Sequence, residues 1–292
     1  MATQQRLPEW FRTTKQKSKA TQKLSKILET DVPNSICQEA KCPNRGDCFA
    51  RGILTFLVLG TVCTRNCAFC SVRHGKPLPP DRSELDQILN AIQRLNLRFV
   101  VLTSPNRDDL SDGGASHYAY LVQGIRAAYP KVRVEVLIPD FQGEKSPLQT
   151  VIDAGPDVLN HNVETVPSLY TTVRKGSLYK RSLELLKTVK DLSPRTLTKS
   201  GLMLGLGEEK EELLDTFKDL AAQGVDMLTL GQYLKPGKDN ADVVKYYTPE
   251  EFEYYKEKAE MAGIPYVFSG PLVRSSYLAE HVFEDYFERL GA

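Results

Sequence analysis

The chain has 292 residues, a formal net charge of +1, 26% charged residues and 41% hydrophobic residues. This balance is typical of a folded soluble protein and gives no global charge that would attract nucleic acid. The first ten residues, MATQQRLPEW, lack the apolar core of a signal peptide, and no apolar run approaches a membrane span. We therefore expect a cytoplasmic protein that binds neither nucleic acid nor membrane.

Basic residues are concentrated near the amino terminus. Five further lysines and arginines lie between Arg6 and Lys26, with Glu9 as the single acid. Such a charge run usually forms a solvated helix or a disordered arm. The alternative is a docking arm for an acidic protein partner.

All six cysteines fall between residues 37 and 70, in two groups of three. The first group is Cys37, Cys42 and Cys48, and the second is Cys63, Cys67 and Cys70. Each group is one ligand short of a four-cysteine site. Three closely spaced thiolates suit a [4Fe–4S] cluster with one iron left open or completed by a different ligand. The pattern predicts two such clusters.

Other uses of these cysteines fit less well. Disulfides belong to oxidising compartments and to small domains with little core. Structural zinc normally uses paired C-x2-C knuckles and closes to four ligands, although His74 near Cys70 keeps that possibility open. A ferredoxin-like electron carrier would have a fourth cysteine for each cluster.

Downstream of the cysteines, short segments rich in Val, Ile and Leu are predicted strands. They span residues 55–60, 98–103, 133–139, 158–164, 201–207 and 227–233. Amphipathic helical patterns lie between them. One has Ser83 as its N-cap with Asp86 three residues on, another ends at Gly224, and a third opens with a capping box of Thr248 and Glu251.

Alternating strands and helices indicate βα units around a parallel sheet. No G-x-G-x-x-G follows the first strand, which argues against a dinucleotide-binding fold. The sequence predicts an α/β protein, a partial (β/α)6 TIM-like barrel. Its core would span residues 51–262, with an amino-terminal cluster-binding extension, 1–50, and a carboxyl-terminal segment, 263–292.

In barrels the chemistry lies at the carboxyl ends of the strands. The second strand ends at Thr103 and runs into a polar loop, and the fourth would place Asn160, Asn162 and Glu164 on one face. Polar side chains in a row on an inner face are costly unless they bind something. The alternative is that this strand ends at Leu159 and that the polar residues belong to a loop.

The string from Cys63 to Cys70 is C-x3-C-x2-C with an aromatic residue, Phe69, before the last cysteine. It resembles the cluster motif of the radical S-adenosylmethionine (SAM) enzymes, whose fold is a full or partial (β/α) barrel. The spacing Cys37-x4-Cys42-x5-Cys48 upstream of it narrows the resemblance to the lipoyl synthase family. Four further strings are similar to that family: Arg107-Asp108-Asp109-Leu110, Asn160-His161-Asn162-Val163-Glu164-Thr165, Gly231-Gln232-Tyr233-Leu234 and Arg274-Ser275-Ser276-Tyr277. Ala68 and Leu278 depart from the common family pattern, and neither is a proposed ligand.

The resemblance implies a sulfurtransferase that inserts two sulfur atoms at C6 and C8 of an octanoyl group carried on a lysine. Unactivated methylene carbons cannot be deprotonated, so hydrogen-atom abstraction, which a cofactor must supply, is the route left. The cofactors would be two SAM molecules and two [4Fe–4S] clusters, one of which is consumed as the sulfur source. Catalysis would depend on the open cluster at Cys63, Cys67 and Cys70.

By the same resemblance, the cluster at Cys37, Cys42 and Cys48 takes Ser276 as its fourth ligand. The alternative for that serine is a helix cap. The residues that hold SAM would be Phe69, Thr103, Asn162, Glu164 and Arg174.

The partners that follow are octanoylated lipoyl carrier proteins, either the glycine-cleavage H protein or the lipoyl domains of E2 subunits. A low-potential electron donor and an iron–sulfur cluster carrier are also implied. Two other functions remain open: another radical SAM sulfur-inserting enzyme, or a non-catalytic iron–sulfur protein. Methylthiotransferases usually have an added RNA-binding domain, and biotin synthase lacks the first cysteine group.

Overall fold

The computed structural model describes residues 7–11, 35–39, 42, 44, 48 and 54–290. The basic arm from Arg12 to Lys26 lies outside the described residues, and so does the side chain of Cys37. Within the described part, each of the six predicted strand segments forms a strand of one parallel sheet. These strands are β1 (Thr55–Leu57), β4 (Phe99–Thr103), β5 (Arg133–Leu137), β6 (Val158–Asn160), β7 (Leu197–Leu204) and β8 (Met227–Gln232). A separate two-stranded pair consists of β2 (Val62–Cys63) and β3 (Arg73–His74).

A seventh strand of the sheet, β9 (Tyr266–Gly270), was not predicted. It pairs in parallel with β8, with Met227 opposite Tyr266 and Gly231 opposite Gly270. The sheet order is β1-β4-β5-β6-β7-β8-β9, and the two end strands do not pair with each other. The prediction of a partial barrel is confirmed, but its count of six strands is wrong, because β9 lies in the segment that we set apart as 263–292.

Several strand ends also differ from the prediction. β1 stops at Leu57 because Leu59 and Gly60 both take positive φ, at 64° and 85°. β6 stops at Asn160, and the chain returns to the sheet only at an isolated bridge between Glu164 and Leu202. The fourth segment is therefore a short strand followed by a polar loop. The sequence left open a strand over residues 158–164 or a strand that ends at Leu159, and the observed end at Asn160 lies one residue beyond the second possibility.

Apart from the last one, the long helices pack on the outer face of the sheet and follow the amphipathic stripes. Those of eight residues or more are Glu84–Leu95, Ala115–Ala128, Lys145–Asp153, Tyr179–Leu192, Lys210–Ala222, Pro249–Met261 and Ala279–Leu290, and the shorter ones are Ile36–Glu39 and Tyr170–Val173. Short 3-10 helices span Glu9–Phe11, Phe141–Gly143 and Pro167–Leu169. None of the helices in the described part is both long and apolar enough to cross a bilayer.

Two of the predicted helix signals are confirmed and one is wrong. Thr248 and Glu251 form the reciprocal capping box, and Gly224, at φ 72°, follows the helix that it was expected to end. Ser83 occupies the N-cap position, but its side chain makes no capping hydrogen bond. Its own N–H instead donates to the carboxylate of Asp81, so a local turn takes the place of the cap.

The last helix closes the amino-terminal end of the barrel. Its Val282 and Tyr286 are buried against side chains from the first residues of the strands. Those side chains include Phe99, Val101, Val158, Met227 and Tyr266. Because this end is filled with apolar groups, any ligand must enter at the opposite end, where the strands finish.

Candidate functional site

A cavity of about 510 Å³ opens at the carboxyl ends of the strands. Both cysteine groups, as far as they are described, line it: Cys42 and Cys48 of the first group, and Cys63, Cys67 and Cys70 of the second. The predicted binding residues line the same space, namely Phe69, Thr103, Asn162, Glu164, Arg174 and Ser276. The structure thus brings together residues that are more than two hundred positions apart in the chain.

The second cysteine group lies on a loop that the barrel holds on several sides. Cys63 ends β2, and its Sγ accepts two backbone N–H groups, from Arg65 and Asn106, both at 3.3 Å. The Ala68 N–H donates to Val173 O at 2.8 Å, and Asn240 Nδ2 donates to Cys70 O at 2.8 Å. These contacts fix the backbone that presents the three sulfur atoms.

The chemistry of these thiols fits an iron–sulfur cluster. Cys63, Cys67 and Cys70 form no disulfide. Burial raises the pKa of Cys67 to about 12 and that of Cys70 to about 11, so without metal these thiols stay protonated. Iron binding displaces those protons, because metal ligands must be thiolates.

A single metal ion fits the site less well. No three Cys, His, Asp or Glu side chains within the described ranges converge closely enough to hold one ion. A four-iron cluster makes a different demand, since its thiolates stand apart at separate corners.

Asn162 and Glu164 face the cavity from the loop after β6. Asn162 Nδ2 donates to Glu164 Oε1 at 3.1 Å and to Ser275 Oγ at 3.2 Å, while Asn162 Oδ1 is buried without a partner among the described residues. Glu164 adopts φ 71°, a conformation that costs a non-glycine residue on the order of 1 kcal/mol and is typical of functional sites. Burial raises the pKa of its carboxyl group. An unpartnered oxygen and a desolvated carboxyl group fit a polar ligand such as SAM.

Because Gly201 has no side chain, the amide group of Asn162 has room beside it. A Cβ atom at this position would lie 2.8 Å from both Asn162 Oδ1 and Thr229 Oγ1. Such a contact is too short, so any side chain here would push the amide out of place.

Arg174 is buried beside the same loop. Its Nη1 donates to Tyr170 OH at 2.8 Å, to Ser182 Oγ at 2.9 Å and to Val163 O at 3.3 Å. All of these bonds use one nitrogen, so the remaining N–H groups have no partner among the described residues. This arrangement leaves the guanidinium able to receive a carboxylate from a ligand.

His161 is linked to Arg174 through the hydroxyl group of Ser182, which bonds both side chains. Its Nδ1 donates to Ile138 O at 2.9 Å, and its Nε2 therefore accepts from Ser182 Oγ at 3.0 Å. Burial, helped by the charge of Arg174, lowers the pKa of His161 to about 3, so the ring is neutral at physiological pH.

The carboxyl-terminal segment also contributes to the cavity. Ser275 and Ser276 line the same cavity as Cys42 and Cys48. The helix that follows starts only at Ala279, after Leu278 at φ 53°, so Ser276 is not its cap. Asn44 Nδ2 donates to Leu272 O, and this bond joins the cysteine-bearing extension to the carboxyl-terminal segment.

The structure adds residues that the sequence did not single out. Arg274 lines the cavity, burial lowers its pKa, and its guanidinium has one hydrogen bond within the described part of the chain, from Nη1 to Val273 O. Arg65, inside the C-x3-C string, bonds two carboxylates from distant loops. The sequence could have pointed to Arg65 and Arg274 only through their positions within the two family motifs. Their contacts are set by the fold and have no signal in the sequence.

Comparison with known proteins agrees with this geometry. A model of the Radical SAM superfamily matches residues 57–220. Proteins named lipoyl synthase from Caldicellulosiruptor saccharolyticus and Alkaliphilus metalliredigens are 49% and 47% identical to this chain. The matches cover 95% and 97% of this chain and 97% and 98% of those proteins.

Solved structures share the fold at low sequence identity. Methylornithine synthase (PylB) superposes with a TM-score of 0.54 at 14% identity, over 93% of this chain and 92% of its own. SuiB of Streptococcus suis bound to S-adenosylmethionine gives a TM-score of 0.56 at 12% identity, over 84% of this chain and 58% of its own. These superpositions bear on the fold alone.

Proposed function

This chain belongs to the lipoyl synthases, sulfurtransferases of the radical SAM superfamily that use SAM and a [4Fe–4S] cluster, and we propose which of its residues carry out that reaction. The open cluster is held by Cys63, Cys67 and Cys70. A second, auxiliary cluster on Cys37, Cys42, Cys48 and Ser276 is the source of both sulfur atoms. The product is an octanoyl group, carried on a lysine, with sulfur at C6 and C8.

One observation carries this proposal: the described cysteines of both groups, Cys42 and Cys48 with Cys63, Cys67 and Cys70, open onto the same cavity. When bound, SAM and the open cluster supply a carbon radical able to abstract hydrogen from an unactivated methylene. The protein has to hold the acyl chain between that radical source and the sulfur source. Leu57, Leu137 and Ile138 give the cavity apolar lining, as a hydrocarbon chain requires.

Residues of the β6 loop and its neighbours are proposed to hold SAM. Arg174 binds the methionine carboxylate through its unused N–H groups, and Asn162 and Glu164 bind other polar groups of the ligand. Phe69 and Thr103 complete the surface on which the ligand rests. Support comes from the unpartnered Asn162 Oδ1 and from the buried position of Glu164.

Ser276 is proposed as the ligand that the auxiliary cluster releases first. An alkoxide is a harder ligand than a thiolate, and soft iron–sulfur clusters retain it less firmly. Its support is that Ser276 lines the same cavity as Cys42 and Cys48.

The specific partners follow from the substrate. We propose octanoylated H protein and E2 lipoyl domains as carriers, together with a low-potential electron donor and a carrier that rebuilds the auxiliary cluster. A cytoplasmic location and the division into residues 1–50, 51–262 and 263–292 stay predictions.

The test uses anaerobic, cluster-reconstituted protein with dithionite, SAM and an octanoyl-lysyl peptide. We expect 5′-deoxyadenosine together with a peptide that has gained two sulfur atoms. A matched Cys42→Ala variant should still form the nucleoside but leave the peptide free of sulfur. Nucleoside formation without sulfur transfer by the unaltered protein would refute the proposed substrate, and no nucleoside at all would refute the radical chemistry.

A further inference from the structure

Arg65, the middle residue of the Thr64-Arg65-Asn66 stretch between two cluster cysteines, has all five of its N–H donors occupied. Asp108 accepts from Nε at 2.8 Å and from Nη2 at 2.7 Å. Asp140 accepts from Nη1 at 3.0 Å and from Nη2 at 2.7 Å, and Ser177 Oγ accepts from Nη1 at 3.0 Å. A guanidinium has five donors, so this side chain has none left for a substrate. Its role must be to hold protein in place.

Arg65 is linked to both backbone groups that contact the sulfur of Cys63. The N–H groups of Arg65 itself and of Asn106 each lie 3.3 Å from Cys63 Sγ. Asn106 and Asp108 are joined to the cluster loop through Thr64, whose N–H donates to Asn106 O at 3.0 Å and whose Oγ1 donates to Asp108 Oδ2 at 2.9 Å. The fork, the pair of hydrogen bonds from the Arg65 guanidinium to the Asp108 carboxylate, therefore joins the two segments whose backbone N–H groups donate to Cys63 Sγ.

The charges around Arg65 allow the hydrogen bonds of its side chain to be tested separately from its positive charge. Asp140, with a fully buried carboxylate, also receives Arg181 Nη1 at 3.2 Å. Burial alone would raise the pKa of Asp140, but the hydrogen bonds and charge of Arg65 outweigh it and hold that pKa well below its usual range. Arg65, Arg181, Asp108 and Asp140 together sum to zero charge. Arg181 thus adds a second positive charge to the group without touching the cluster loop.

We propose that Arg65 is a positioning residue that fixes the two N–H···S hydrogen bonds on Cys63 and thereby raises the reduction potential of the cluster bound there. Hydrogen bonds to the sulfurs are one of the means by which proteins set such potentials. The inference rests on the open cluster proposed above and is independent of the sulfur-transfer step.

The test is an EPR-monitored redox titration of the reconstituted full-length protein, following the signal that changes when SAM is added. Arg65→Lys keeps the charge and loses the fork, whereas Arg181→Gln loses a charge and keeps the fork. We expect Arg65→Lys to lower the ratio of reduced to oxidised cluster at a fixed potential about tenfold, which is about 59 mV for a one-electron couple. We expect Arg181→Gln to leave the ratio within about twofold of the parent.

Ser177→Ala gives a milder, charge-neutral check if Arg65→Lys assembles poorly. It removes one of the five acceptors of Arg65 and should lower the ratio by a smaller factor in the same direction. A shift in Arg181→Gln with none in Arg65→Lys or Ser177→Ala would overturn the proposal in favour of a charge effect. Equal potentials in all variants at full iron content would also overturn it. A parent protein without a SAM-responsive signal would instead refute the proposed open cluster on which the inference rests.

Discussion

The ion pair between Lys199 and Glu135 lies inside the barrel, one layer below the cavity. Each of these residues is two positions before a residue that lines the cavity, Gly201 and Leu137, on the same face of its strand. Lys199 Nζ is 3.2 Å and 3.1 Å from the two carboxylate oxygens, and the side chains are 0% and 1% exposed. Asn160 Nδ2 donates to the same carboxylate at 2.9 Å.

Replacing Lys199 with Met keeps the length of the side chain and removes its charge. Glu135 is then left buried with Asn160 as its remaining described partner, a change that costs about 3–5 kcal/mol. For a large domain each kcal/mol lowers the melting temperature by about 2–4 °C, so we expect a decrease of roughly 6–20 °C. Thermal unfolding of the metal-free protein, followed by circular dichroism, measures this directly.

The control is the double variant Lys199→Met/Glu135→Gln. Neutral glutamine keeps an acceptor for Asn160 and removes the stranded charge, so the double variant should regain most of the lost stability. A single variant within about 1 kcal/mol of the parent, measured by urea unfolding, would refute the reasoning. A double variant no more stable than the single one would do the same.

Three further predictions concern the site. Glu164→Gln keeps the shape of the side chain and the hydrogen bond from Asn162 but removes the carboxylate. SAM binding, measured by calorimetry, should weaken about 10–100-fold at unchanged iron content. Unchanged affinity would show that Glu164 does not bind SAM. Ser276→Ala should still form 5′-deoxyadenosine but lose at least about tenfold in sulfur insertion, and full insertion of two sulfurs would exclude Ser276 as a needed ligand. His161 has its pKa lowered to about 3 in the folded protein, against about 6.5 when unfolded. The unfolded state therefore binds more protons between these values, and stability should fall as the pH drops below about 6.5, by up to about 1.4 kcal/mol per pH unit. Urea unfolding at pH 7.5, 6.5 and 5.5 should show this loss relative to His161→Gln, and parallel pH profiles would contradict it.

The sequence predicted the fold where the signal is local. Short β-branched runs bounded by glycine or proline gave six of the strands, and the Thr248–Glu251 capping box formed as expected. β9 was missed because it falls in the stretch that motif matching had assigned to a separate segment. Ser83 failed as a cap because Asp81 competes for the same turn.

The site was predictable as a set of residue types but not as a network. Thiolate spacing and family motifs identified the groups that line the cavity. The partners of Arg65 stand 43, 75 and 112 positions away along the chain. The strand order β1-β4-β5-β6 brings the loops after these strands together at one end of the sheet, and no spacing rule could have paired them.

The most direct test of the account asks where the inserted sulfur comes from. The protein would be reconstituted with ³⁴S-sulfide, freed of unbound sulfide, and allowed a single turnover with octanoyl-lysyl peptide, SAM and dithionite. We predict a peptide that carries two ³⁴S atoms, with loss of the auxiliary cluster and retention of the open one. A product with sulfur of natural isotopic composition would contradict the claim that the cluster facing the shared cavity is the sulfur donor.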